Sequence, residues 1–414
     1  LAHPVAPSQS RDAILAVAAL AMAPAVGLGL GRFAYALVLP DMQAAFGWSY
    51  GEAGLPNTMN AFGYFLGAAA AGRIAARAGS LRLVVVSTIF VALSTALSAA
   101  AWDLTSLSVL RFAAGFAAAL GLVAAGAVAI SLAERAGRHG SLVVALLYAG
   151  PPTGIIVSAL VAPLALEAGG LADWRAAWAA LGAASAVLLL AFLAPPFRRA
   201  GGVALKAAGG HAPLRPMLPV LVGYGIFGAG YIAYMTFMIA FLRQDGARPA
   251  EEALFWCVLG AGGLASPWIS SWALSRLRGG QGLAVTMAVT LLGALLPLAF
   301  RSFAAELASA AIFGLGMFAV TAATTMFVRA SLPAAAWASG VGAMTVAFSI
   351  GQSVGPVLIG AVTDRAGGLD AGLALGAALL ALAAIIAANQ RNRAPSSVAP
   401  TVPMPDDPAA ERPL

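Results

Sequence analysis

Charge is scarce in this sequence: only 9% of its 414 residues are charged, 61% are hydrophobic, and the mean hydropathy is +0.90. A chain so poor in charge cannot stay dispersed in water as a globular domain, so lipid must be the solvent for most of it. Cysteine is sparser still. Cys257 is the only one, which excludes an intramolecular disulfide, and its apolar surroundings suit a small buried hydrophobe. The three histidines, His3, His139 and His211, all fall in polar stretches between apolar runs. Ser-His and metalloprotease chemistry therefore have no parts to use, an enzyme is not expected, and neither is a metal or a cofactor. The basic residues give a net charge of +7 and a pI near 10.2. They are scattered through short loops and form no stripe interleaved with aromatics, so nucleic acid is not an expected partner.

What the sequence has in abundance is apolar runs. Twelve of them, broken by short polar punctuation, predict transmembrane helices at about 14–39, 55–75, 83–101, 106–132, 141–164, 176–193, 217–242, 253–274, 283–300, 304–328, 334–362 and 371–388. The longest polar interruption, 195–216, holds Arg198, Arg199, Lys206, His211 and Arg215 with several glycines and reads as a linker. The predicted fold is thus an all-α membrane protein of twelve transmembrane helices in two six-helix bundles, 14–194 and 217–388. No cleaved signal peptide is expected ahead of the first run, and 1–13 reads as a short cytoplasmic segment. Residues 389–414, rich in Pro, Ala and Asp without periodicity, are predicted to be a disordered cytoplasmic tail.

With both termini cytoplasmic, sixteen basic loop residues lie inside and five, Arg175, Arg243, Arg248, Arg301 and Arg365, lie outside. That bias is what the positive-inside rule demands. A multi-pass protein of a bacterial-type inner membrane is the expected setting. The halves echo one another, since Gly150-Pro151-Pro152-Thr153-Gly154 in the fifth predicted helix returns as Gly355-Pro356 with Gly360 in the eleventh. The loop Gly72-Arg73-Ile74-Ala75-Ala76-Arg77-Ala78-Gly79 after the second helix has a partner in Ser275-Arg276-Leu277-Arg278-Gly279 after the eighth. A parallel repeat of six plus six helices is the architecture implied.

These residues resemble the major facilitator superfamily. Gly72, Arg77 and Gly79 match its Gly-x-x-x-Asp-Arg-x-Gly signature, but Ala76 stands where the Asp is usual and Ser275 replaces it in the second half, so the motif's latch lacks its acid. Arg111-Phe112-x-x-Gly115 and Asp173-Trp174-Arg175 are also similar to superfamily motifs. Gly31-Arg32-Phe33-x-Tyr35 with Pro40, Gly230-Tyr231 with Thr236-Phe237, and Gly351-Gln352-x-x-Gly355-Pro356 resemble the YbfB/YjiJ branch. The resemblance implies a monomeric permease working by alternating access and supplies no substrate.

Two arginines fall well inside predicted spans, Arg32 and Arg111, at roughly 2.5–3.5 kcal/mol or more each near mid-bilayer. A guanidinium fork fits carboxylate or phosphate, so Arg32 reads as an anion anchor in a central cavity, against a structural residue held by backbone carbonyls. Arg111 is expected nearer the outer end, in a structural or gating role at least as readily as at the substrate. Every Asp and Glu is expected in a loop or at a helix end, Asp41, Glu52, Asp103, Glu134 and Asp364 lying nearest the membrane. No protein carboxylate is then left to balance the arginines, and an anionic solute is the simplest source of the missing charge. A co-transported proton is a further expected partner, carried by the solute or by Asp41 or Glu52.

Helical spacing adds Tyr35 beside Arg32; Asn57, Asn60 and Tyr64 on one face; Thr345, Ser349 and Gln352 on another; and Tyr224 with Tyr231 on a third. Arg32, Tyr35, Asn57, Asn60, Tyr64, Tyr224, Tyr231 and Gln352 are the candidate substrate residues, although Asn and Gln also serve as interhelical hydrogen-bond partners. Arg111, Gly72, Arg77, Gly79, Gly150, Pro151, Gly154, Gly355 and Pro356 are the structural and gating candidates, with close packing as the plainer role of the small residues. The expected function is secondary transport of a small, anionic organic solute; the competing expectation is a proton-coupled multidrug or metabolite exporter.

Overall fold

The computed structural model describes residues 7–168, 173–200, 212–333 and 336–391. His3, Lys206, His211 and the stretch 392–414 lie outside the described residues. Fourteen long helices follow in order: α1 (Pro7–Leu20), α2 (Tyr35–Phe46), α3 (Tyr50–Ala78), α4 (Ser80–Leu97), α5 (Leu104–Ala136), α6 (Gly140–Tyr148), α7 (Gly150–Ala168), α8 (Trp174–Leu189), α9 (Leu218–Gln244), α10 (Pro249–Leu274), α11 (Gln281–Ala299), α12 (Phe303–Ser331), α13 (Trp337–Ala366) and α14 (Leu369–Ala388). Strands are absent among the described residues.

Ten stretches are long and apolar enough to cross a bilayer. One of them, Leu104–Glu167, spans 64 residues and holds α5, α6 and most of α7, more than twice what one crossing needs. α3 is not among the ten, because Asn57, Thr58, Asn60 and its glycines dilute an otherwise apolar helix. The protein is a multi-pass membrane protein. The helix ends are fixed locally: Ser49 and Glu52 cap each other's backbone at the start of α3, and Asp103 does the same with Ser106 at the start of α5. The Ser106 N–H on its carboxylate holds Asp103 below the usual carboxylate range. Gly47 and Gly367 stop α2 and α13 in the left-handed conformation, φ +69° and +77°.

Two predicted helices are not regular α-helices. The first apolar run is broken into α1, a π-helical segment Ala25–Phe33 and α2, which carries on to Phe46 and so past the expected end at 39. The fifth is divided at Ala149 into α6 and α7, ahead of Pro151 and Pro152. The start of the predicted linker is folded onto the N-terminal part: Pro195–Arg198 is a helical turn whose Phe197 stacks on Phe192 at 4.5 Å, and Arg135 donates to the Ala200 carbonyl.

Close packing rests on small residues. Gly63 and Gly67 of α3 lie directly against the Phe112 and Phe116 carbonyls of α5, a separation that admits no side chain. In the C-terminal part Gly262 of α10 lies against the Ala311 carbonyl of α12, and Gly314 of α12 against the Leu259 carbonyl of α10. An apolar core drawing on both parts gathers around Leu30–Met42 and Tyr231–Leu242, whereas a second core takes residues only between Ala13 and Ala200. The two parts are therefore joined at the end where α2, the start of α3 and the end of α9 meet.

Candidate functional site

Arg32 sits in the π-helical segment, a conformation that often marks functional sites. The Ala34 N–H reaches back to the Gly29 carbonyl at 3.0 Å, one residue further than an α-helix would. Gly29 presses on the backbone of Gly154, while Gly150 and Gly154 lie against the Ala21 and Ala25 carbonyls, so neither side admits a Cβ. Gly150, Pro151 and Gly154 thus seat α7 on the segment that carries the arginine.

The guanidinium is 3% exposed and turned toward the C-terminal part. Its Nη2 donates to Gln352 Oε1 of α13 at 2.7 Å, and the Tyr231 hydroxyl of α9 donates to the same oxygen at 2.9 Å. Phe33 and Tyr64 flank it, ring centroids 5.8 and 5.7 Å from the guanidinium carbon. Since Gln352 Oε1 accepts two donors, its amide orientation is fixed and Nε2 is a spare donor; Nε2 and Arg32 Nε are buried without a partner among the described residues.

The asparagines are oriented by the same bookkeeping. Thr236 commits its proton to the Ile232 carbonyl at 2.6 Å, so Asn57 Nδ2 must be the donor in the 2.8 Å bond that ties α3 to α9. Asn60 Nδ2 donates to the Arg111 carbonyl at 2.8 Å. Both Oδ1 atoms are left as buried acceptors. Asn57 stands on the seam between the parts, and Asn60 is spent within the N-terminal part. The Ser349 hydroxyl is buried without a partner, while Thr345 bonds its own helix at the Val341 carbonyl.

Spacing grouped Tyr35 with Arg32, but the π segment changes the register between them. Tyr35 is fully buried, donates to the Ala53 carbonyl at 2.7 Å and stacks on Trp178 at 6.4 Å. Arg111, also fully buried, lies behind the arginine segment, where its Nη2 reaches the Arg32 carbonyl at 3.3 Å. The Tyr35 and Trp178 rings face its guanidinium at 5.7 and 5.1 Å. It braces Arg32 from the protein side.

Tyr224, Phe227 and Tyr231 repeat along one face of α9, and Phe348 of α13 stacks on Tyr224 at 4.8 Å and on Tyr231 at 5.2 Å. Phe227 and Phe348 were not among the sequence candidates; the i, i+3, i+7 period of rings from Tyr224 was the signal for the first, and nothing local marked the second. Gly72, Arg77 and Gly79 lie far from this cluster at the end of α3, Arg77 exposed and Gly79 at φ +81°, where a side chain would be strained.

The family model described as "Uncharacterised MFS-type transporter YbfB" matches residues 24–388. The chain belongs to this major facilitator family. A comparison with curated proteins found no match. Among solved structures, the facilitator is similar to a bacterial homologue of the human lysosomal transporter Spinster, described as inward-facing and unoccupied, with TM-score 0.68, 15% identity, 92% of this chain covered and 96% of that one. It is also similar to the nucleoside transporter NupG in a D323A mutant form, with TM-score 0.68, 13% identity, 92% of this chain covered and 99% of that one. At such identities these likenesses speak for the fold.

In this facilitator the joined end is pinned by charge. Asp364 at the end of α13 accepts the Tyr50 and Gly51 N–H groups, each at 2.8 Å, capping α3 from the other half of the chain. Arg243 of α9 forks onto Glu252 at 2.8 Å through both Nε and Nη2, and its Nη1 reaches Asp41 of α2, also at 2.8 Å. Here the sequence expectation is corrected. Because α2 continues to Phe46, Asp41 lies inside a helix and is buried, whereas Glu252 and Glu306, also buried, stand in the first turns of α10 and α12, at helix ends as expected. Asp41 and Glu252 serve the joined end, and none of the ion pairs of Arg243, Arg248 and Arg301 involves Arg32 or Arg111. Gly355 packs on Ala229 and Ile232 of α9 within the C-terminal part, whereas the Pro356 carbonyl meets Gly54 and Gly360 meets the Tyr50 carbonyl, so of the two α13 candidates Pro356 lies along this seam.

Proposed function

We propose that this facilitator is a secondary active transporter that moves a small organic anion by alternating access. The observation that carries the reading is the buried Arg32 guanidinium at the seam, hydrogen-bonded to a neutral amide and with spare donors beside it. A buried cation without a counter-charge is costly, and an arriving anion supplies one. Tyr64 from one half and Tyr231 and Gln352 from the other stand around it, so a bound solute would touch both and favour the state in which they close on it.

In this reading twelve helices cross the membrane as bundles 14–194 and 217–388, joined by 195–216, with both termini cytoplasmic in a bacterial-type inner membrane and the chain acting as a monomer. The basic loops of the unjoined end then face the cytoplasm, and the ends joined by Asp364 and Arg243 face out. That disposition is inward-facing, the state named for the Spinster homologue. Proton coupling, if the transporter uses it, has its best-placed group in Asp41: Glu252 already satisfies Arg243 with a fork, so Asp41 is the second carboxylate on one cation and the only one of the pair that bridges the halves.

The aromatic lining favours a second reading, export of lipophilic compounds, for which Arg32 would be dispensable. Transport decides between them. In proteoliposomes, Arg32→Ala and Arg32→Lys are expected to abolish uptake or exchange of organic anions; anion flux unchanged in Arg32→Ala, with dye extrusion surviving, overturns the proposal in favour of export.

A further inference from the structure

The charge and ring inventory of the seam narrows the cargo beyond "anion". Arg32 is the cation that stands beside Gln352 and the Tyr64 ring, whereas Arg111, whose Nε and Nη1 are also without a partner among the described residues, lies behind the Arg32 carbonyl between the Tyr35 and Trp178 rings. One guanidinium balances one negative charge. A dicarboxylate or a phosphate dianion would bring a second charge to a site whose other cation is set behind the backbone, at the desolvation cost that buried unpaired charge carries.

What surrounds the guanidinium is aromatic. Tyr64 of α3 and Phe348 of α13 both keep accessible surface, and they belong to opposite halves. Tyr64 faces the Arg32 guanidinium at 5.7 Å, the Tyr231 hydroxyl shares the Gln352 oxygen with that guanidinium, and Phe348 is stacked on Tyr231 and Tyr224. A column of stacked rings from the C-terminal half and a single ring from the N-terminal half thus stand beside the arginine. Flat π faces favour a flat π ligand in offset stacking over an aliphatic body of equal size. The spare donors, Arg32 Nε and Gln352 Nε2, supply two hydrogen bonds for two carboxylate oxygens.

Resting on the anion reading above, we infer that the site takes a planar aromatic monocarboxylate, its carboxylate on Arg32 and Gln352 and its ring between Tyr64 and Phe348. The test is calorimetric binding of benzoate, cyclohexanecarboxylate and succinate to the purified full chain. Benzoate is expected to bind about three- to tenfold tighter than its saturated counterpart, the range that aromatic pairing supplies, and succinate at least about tenfold weaker than benzoate. Phe348→Leu should erase the preference for benzoate over cyclohexanecarboxylate, and Phe348→Trp, which keeps a π face, should retain it, so loss of fold is told apart from loss of stacking. Equal binding of benzoate and cyclohexanecarboxylate, or preference for succinate, overturns the inference and leaves the anion reading standing. Binding of none of the three, with neutral or cationic solutes bound instead, overturns both.

Discussion

Removing Asp364 should open the joined end of the protein without unfolding it. The carboxylate caps α3 from the opposite half through two 2.8 Å bonds to the Tyr50 and Gly51 N–H groups. Loss of an N-cap costs about 0.5–2 kcal/mol, and hydrogen bonds to a charged group contribute about 1.5–3 kcal/mol where water is excluded. Both bonds are exposed, so the smaller end applies: roughly 1–2 kcal/mol, a factor of about five to thirty in the balance between the joined and the parted state. The helix keeps its own cap from Ser49 and Glu52, so the loss falls on the contact between halves and spares α3. Spin labels at Ala45→Cys and Ala366→Cys, both exposed positions near this end, in a Cys257→Ser background would report it by pulsed electron resonance. Asp364→Ala should add a longer-distance population, and Asp364→Asn, which keeps one acceptor, a smaller one. Identical distance distributions in all three proteins would refute the idea that this carboxylate ties the halves together.

Three further outcomes follow from the same geometry. Asp41→Asn should loosen the joined end in the same spin-label assay while leaving thermal stability near that of the parent, whereas Glu252→Gln, which breaks the fork between the buried Glu252 and the partly exposed Arg243, should lower it by roughly 1–3 kcal/mol; equal thermal loss in both would contradict the division of labour. Gly54→Val, forced against the Pro356 carbonyl across the seam, should disfavour the joined state and slow transport, and Gly29→Val, forced against Gly154 within one half, should chiefly reduce the yield of folded protein; size-exclusion profiles beside flux measurements separate the two. Thr236→Val removes the acceptor of Asn57 and leaves a buried amide unpaired, so it should weaken anion binding by about 1–3 kcal/mol, checked by calorimetry.

Much of this was legible from residue order alone. Long apolar runs and the motifs around Arg77, Arg111 and Gln352 pointed to the family, because the bilayer dictates both helix length and the rarity of charge. Arg32 stood out for the same reason. The partners of these residues were not legible. Gln352 meets Arg32 across 320 positions of sequence, and Asp364 caps a helix 314 positions away, contacts that only tertiary assembly makes. Tyr35 was placed by α-helical spacing that the π segment does not obey. Asp41 was expected beyond the end of the first run at 39, yet α2 runs through Pro40 to Phe46 and buries the acid. Arg111 was expected in a structural or gating role at least as readily as at the substrate, and the chain places it behind the Arg32 carbonyl.

The central claim is that Arg32 waits for a negative charge, and a ligand-stabilisation screen tests it most directly. Purified parent and Arg32→Ala proteins are melted in the presence of size-matched anionic, neutral and cationic solutes, where saturation at about a hundredfold above Kd adds about 2.7 kcal/mol. Stabilisation by anions alone, lost in Arg32→Ala, is the predicted result. Stabilisation by neutral or cationic solutes that persists in Arg32→Ala would contradict it.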